Sequence, residues 1–148
     1  MHSVEATDMV NYWLVKTEPS TYSFADLERD GSTVWDGVSN ALALKHLRGM
    51  KRGDLAFVYH TGDEKRIVGI ARVASDPYPD PKGKDPKLVV VGLEAQQRLP
   101  QAVPLAAVKA DAEFEDFELV RMGRLSVMPV SGPRWRRLLS MAAPSGSS

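Results

Sequence analysis

The sequence predicts an α+β fold: a twisted β-barrel of about five to six strands decorated with short helices. Three observations lead there. The chain has 148 residues, of which 43% are hydrophobic, enough for one core of ordinary size and too few for two domains. Its middle holds three segments rich in Val and Ile that are separated by turn residues, the pattern of strands in one sheet. Short capped stretches with apolar residues at helical spacing lie before and after them. The folded body is expected over residues 10–141. Residues 1–9 are polar and unpatterned and residues 142–148 are mostly small and uncharged, so both tips are expected to be mobile.

Taken in order, Val10 to Lys16 is rich in β-branched and aromatic residues and stops before Glu18-Pro19, which makes it a strand. Ser23 is placed to cap a helix running to Asp30. Phe24 and Leu27 share its inner face, Asp26 sits at the third helical position, and Gly31 ends it. A second helix fits Asn40 to Arg48, with Ala43, Leu44 and Leu47 as its apolar stripe and Gly49 as its stop. Asp54 to His60, Ile67 to Ser75 and Leu88 to Gln97 read as strands. In the second of these only Arg72 interrupts the apolar run between Ile67 and Val73, so the sheet must be closed or covered on both faces. A Pro/Lys/Asp-rich loop spans Asp76 to Lys87. Beyond the third strand come a helix at Leu105 to Lys109, an acidic stretch from Asp111 to Glu118 anchored by Phe114 and Phe117, a strand at Ser126 to Val130, and a helix led by Ser131 and Pro133.

Composition narrows the chemistry. There is no cysteine, and the three histidines, His2, His46 and His60, show no metal-ligand spacing, so neither metal nor cofactor is expected. Nineteen basic residues balance nineteen acidic ones, which argues against a protein that holds nucleic acid mainly by counterion release. No apolar run reaches the length of a membrane span and no secretory leader is visible. A soluble, unsecreted protein without a membrane partner is expected, cytoplasmic in a bacterium or nuclear and cytosolic in a eukaryote.

The segment Thr33 to Asn40 draws attention because Trp35 precedes a turn at Gly37 and a helix start at Ser39 or Asn40. Trp35 is either core beneath that helix or a stacking face for a planar ring. Tyr59 and His60 end a strand and alternate to opposite faces. Lys45, Arg48 and Arg52 are spaced to align along a helical edge, as solvated surface or as contacts to a short stretch of phosphate backbone. Gly69 and Gly92, isolated in strands, mark bulges or close contacts. No nucleophile elbow or paired-carboxylate motif stands out.

Several separated blocks resemble one family. Tyr12-Trp13-Leu14-Val15-Lys16-Thr17-Glu18-Pro19, Trp35-Asp36-Gly37-Val38-Ser39-Asn40, Gly53-Asp54-Leu55, Tyr59-His60, Ile67-Val68-Gly69-Ile70-Ala71, Tyr78-Pro79-Asp80-Pro81 and Gly123-Arg124-Leu125-Ser126-Val127 together resemble the EVE domain. That resemblance implies a PUA-like barrel related to YTH and ASCH domains, and a non-catalytic module that receives a modified base of DNA or RNA in an aromatic pocket. It implies Trp35 as the aromatic wall, Ser39 and Asn40 as readers of the base edge, and Leu125 with Ser126 as the opposing rim. Lys16, Thr17 and Glu18 would close the pocket, and Tyr59 or His60 would approach from the neighbouring strand end. Two other readings are carried beside it: an enzyme acting on a nucleotide or small heterocycle with His60 or Glu18 as general acid/base, and a protein-interaction module that takes a peptide side chain against Trp35.

Overall fold

A computed structural model describes residues 10–83 and 85–144. The two tips expected to be mobile, apart from residues 142–144, lie outside the described residues. The elements run β1 (Tyr12–Thr17), α1 (Phe24–Asp30), β2 (Ser32–Trp35), α2 (Ala41–Arg48), β3 (Leu55–His60), β4 (Arg66–Val73), β5 (Tyr78–Pro79), β6 (Val89–Pro104) and α3 (Leu105–Lys109). A 3₁₀ turn (Ala112–Phe114), α4 (Glu118–Arg121), β7 (Val127–Val130) and α5 (Gly132–Met141) complete the chain.

The strands form one mixed sheet in the order β2-β6-β4-β3-β1-β7, with the two-residue β5 paired to β6. This corrects the expected barrel. Closure would require β2 to hydrogen-bond to β7, but among the described residues β2 pairs only with β6 and β7 only with β1, so the sheet stays open. Its two-sided apolarity has another cause. Val58 and Gly69 are cross-strand partners, as are Phe57 and Ile70, and partners share a face. On the first face the ring of Phe24, from α1, lies so close that a Cβ at Gly69 would meet it at 2.4 Å. On the second, Trp135 of α5 stacks on Phe57 with centroids 3.9 Å apart and on Tyr12 at 4.5 Å. Helices cover both faces, and burial on both sides follows without closure.

The local signals for α1 hold in detail. The Ser23 hydroxyl accepts from the Asp26 amide and the Asp26 carboxylate accepts from the Ser23 amide, a reciprocal cap. Gly31 ends the helix at φ 80°, a conformation that costs a glycine little. Strand β6 runs seven residues past its expected end at Gln97. Pro100 falls where the ladder to β4 is interrupted, between the Gly69–Arg98 and Ile67–Val103 pairs, a position at which a missing N–H costs nothing. Among the described residues no helix is long and apolar enough to cross a membrane, and no group of three or more His, Asp or Glu side chains is arranged to hold a metal ion.

Candidate functional site

Strand β2 places the central residue of the site. Its sequence Ser32-Thr33-Val34-Trp35 is antiparallel to β6, with Trp35 opposite Val91. Trp35 is only 8% exposed yet lines a cleft of about 430 Å³, so the core and stacking-face readings describe one side chain. Directly after it, Gly37 adopts φ 78°, and the chain turns back so that Asp36, Gly37 and Val38 continue the wall. The opposite wall comes from the other end of the sheet. Lys16 and Thr17 end β1, Ser126 leads into β7, and the Lys16 amide donates to the Ser126 carbonyl. The cleft therefore occupies the space where the sheet fails to close.

Tyr22 completes the site. Its ring meets Trp35 edge to face, with centroids 6.4 Å apart and planes at 79°, a favoured aromatic geometry. Three bonds fix it: its hydroxyl donates to Asp30, its carbonyl accepts from the Thr17 hydroxyl at 2.7 Å, and its amide donates to the Glu18 carbonyl. Burial raises the Tyr22 pKa, keeping the phenol neutral. Burial also lowers the pKa of Lys16. The Lys16 ammonium donates to the Gly123 carbonyl at 3.0 Å and lies over the Tyr59 ring, 5.6 Å from its centroid. The arrangement offers an aromatic surface, hydroxyls from Thr17, Thr33 and Ser126, one cation and one carboxylate. The Trp35 indole N–H has no hydrogen-bond partner among the described residues, unlike that of Trp13, which donates to Asp54.

The expected site residues divide. Trp35, Lys16, Thr17 and Ser126 line the cleft. Asn40 and Leu125 line an adjoining hollow of about 370 Å³ with Arg121 to Arg124, while Tyr59 lines a third, of about 180 Å³, that shares Lys16 with the cleft and Gly123 with the second hollow. Ser39 is exposed in the turn before α2, and it is Asn40 that caps the helix. Its Oδ1 accepts from the Ala43 amide, so the amide NH₂ of Asn40 and the second lone pair of Oδ1 remain free.

Glu18 and His60 are outside the cleft lining. Glu18 accepts from the Ser20 amide and hydroxyl and from the Thr61 hydroxyl. Those bonds, the Ser20 amide foremost, hold its pKa below the usual carboxylate range, which makes it a weaker base. His60 is 6% exposed. Its Nε2 accepts from the Phe24 amide at 3.0 Å and its Nδ1 bonds Glu64 at 2.8 Å, so both ring nitrogens are engaged and the histidine serves as a cap for α1. Neither residue is arranged for proton transfer. In the basic patch, α2 ends at Arg48, and Arg52 lies in the turn beyond instead of on a shared helical edge. Arg48 donates to the Lys87 carbonyl, and none of Lys45, Arg48 and Arg52 lines the cleft.

Sequence reasoning missed Tyr22 and Thr33. The β-branched and aromatic run Thr33-Val34-Trp35 was the available signal for β2, and Tyr22 stands just before the Ser23 cap, where a residue packing back against the chain is common.

A family model described as the EVE domain matches residues 11–141. A solution structure of a protein from Rhodopseudomonas palustris superposes with a TM-score of 0.85 at 42% identity, covering 90% of this chain and 93% of that one. Human THYN1 protein, crystallised in complex with DNA containing 5-methylcytosine, superposes with a TM-score of 0.85 at 27% identity, covering 92% of this chain and 99% of that one. Mouse thymocyte nuclear protein 1 is 29% identical over 168 aligned positions, 90% of this chain and 74% of its own length.

Proposed function

Since the chain belongs to the EVE domain family, we propose that it is a non-catalytic nucleic-acid-binding module that takes a modified base of DNA into the Trp35 cleft. The observation that carries this reading is the pairing of Trp35 and Tyr22 with polar groups from three separate segments around one concave space. A base needs an apolar face to lie on and donors and acceptors at its edge. Trp35 supplies the face, and Thr33, Thr17 and Ser126 supply hydroxyls at the rim. Stacking contributes about 1–3 kcal/mol per base, and unpaired edge groups penalise the wrong base. A chain of zero net charge can reach useful affinity in this way without an extended basic face. The DNA in the human THYN1 complex contains 5-methylcytosine, which supports a methylated cytosine as the first ligand to test.

The decisive experiment titrates the protein with short oligonucleotides carrying methylated cytosine, hydroxymethylated cytosine, methylated adenine or only plain bases, all at one ionic strength. Preference for one modified base is the expected result. Equal affinity across the set, or no binding, would overturn the reading.

A further inference from the structure

The segment from Arg121 to Ser126 borders all three hollows. Ser126 lines the cleft, Arg121 to Leu125 line the second hollow with Asn40, and Gly123 is shared with the third. It forms a ridge beside the site, held to β1 by the bond from the Lys16 ammonium, a cleft-lining residue, to the Gly123 carbonyl. Two side-chain features of this ridge face solvent. The guanidinium groups of Arg121 and Arg124 are exposed and, like those of Arg52 and Arg136, make no ion pair or hydrogen bond among the described residues, whereas Arg29, Arg66, Arg72, Arg98, Arg134 and Arg137 pair with carboxylates. Between them Met122 leaves 41% of its surface exposed. The exposed part of this apolar side chain, flanked in sequence by the two guanidinium groups, gains free energy when a partner removes it from water.

We propose that this ridge clamps duplex DNA: Met122 enters the space left in the base stack when the modified base turns into the Trp35 cleft, while Arg121 and Arg124 hold the phosphates on either side. The proposal rests on the reading of the cleft as a base receptor and adds the form of the nucleic acid. Duplex is favoured over single strand for two reasons. A wedge has a vacancy to fill only where neighbouring bases stay stacked, and flexible apolar side chains serve that purpose in proteins that unstack DNA. Single-strand binders instead line a groove with a succession of exposed aromatics, and among the described residues Tyr78 is the exposed large aromatic, on β5, outside all three hollows. No bond is made or broken. The unstacking cost of one step is met by the stacking of the turned-out base on Trp35 and by contacts from the wedge.

The test compares a duplex carrying one central 5-methylcytosine, the same single strand, and unmodified versions of both, against the wild type, Met122→Ala, and the double variant Arg121→Ala/Arg124→Ala. All three positions are exposed, and an unchanged melting temperature checks the fold. Met122→Ala is expected to lose about tenfold in affinity for the methylated duplex and less than about twofold for the methylated single strand. The double variant should weaken methylated and plain duplex alike and reduce the salt slope by about two. If Met122→Ala leaves duplex affinity unchanged, or weakens duplex and single strand equally, the wedge is overturned while a persisting preference for methylated DNA keeps the base-receptor reading. If the wild type prefers methylated DNA in neither form, the receptor reading fails and the wedge with it.

Discussion

The indole N–H of Trp13 donates to the Asp54 carboxylate at 2.9 Å, joining the first strand to the start of the third. Asp54 is 3% exposed and also accepts from the Asn11 and Lys51 amides at 3.1 and 2.9 Å. One buried carboxylate thus satisfies three donors from β1, its approach and the turn after α2. Removing it would strand all three. Asp54→Ala should cost about 2–4 kcal/mol, whereas Trp13→Phe, which removes a single donor and part of the buried ring system, should cost about half as much. Urea unfolding curves measure both, and equal losses would mean that packing of the indole dominates.

The contact of Phe24 with Gly69 gives a second expectation. A methyl group at residue 69 would meet the ring at 2.4 Å, and overpacking of this kind costs about 1–3 kcal/mol. Gly69→Ala should be destabilised by that amount. Phe24→Leu should relieve part of the penalty in the double variant, so the two effects should be less than additive.

The bond from His60 gives a third. It holds the Glu64 pKa below the ordinary value, with the Arg66 guanidinium helping. Because the folded pKa is the lower one, the folded state binds fewer protons than the unfolded chain in the window between them. The contribution of Glu64 is therefore fully present above its unfolded pKa and is lost as pH falls through the folded one. Solvent screening at this exposed carboxylate keeps the effect small. Glu64→Gln should flatten the fall in melting temperature on acidification below about pH 4.5 and change little near neutrality. Identical profiles for variant and wild type would remove Glu64 from the acid response.

A fourth expectation concerns the cleft. Trp35→Ala should reduce affinity for the preferred modified base by about ten- to a hundredfold and should also lower stability, since the side chain is part of the core. Thr33→Val keeps the volume of a half-buried residue, removes the hydroxyl, and should reduce discrimination between modified and plain bases with the fold intact. Asn40→Ala, which deletes the cap bonded to Ala43, should cost about 1 kcal/mol of stability. A larger effect on base preference than Thr33→Val would place the reading edge at the α2 turn.

Much of the fold was legible because local chemistry decided it. Ser23, Asp26 and Gly31 bracket α1, Asn40 and Gly49 bracket α2, and Ser131 leads α5, each at its expected place. What escaped depends on partners distant in sequence. Strand β2 has four residues and exists because β6 lies beside it. The extension of β6 past Gln97 was hidden by Pro100 and Pro104, prolines that signal loops and are here accommodated at a ladder interruption and a strand end. The open edge was illegible for a related reason. Apolar residues on both faces of β4 look the same under a closed sheet as under α1 and α5. In the site, Trp35, Lys16, Thr17 and Ser126 converge on the cleft, while His60 goes to an amide of α1. A terminal strand histidine carries no mark in the sequence of which neighbour will claim it.

The unjoined ends of the sheet also give the cleft a mechanical meaning. Going from β2 to β7 through the strand ladders means crossing every intervening strand, so the two walls are the most remotely paired parts of the sheet although they face each other. A molecule lodged between Trp35 and Ser126 acts as a brace joining first rung to last. Its grip should be felt as slower amide exchange in β2 and β7 together, with β3 and β4 in the middle of the sheet unaffected.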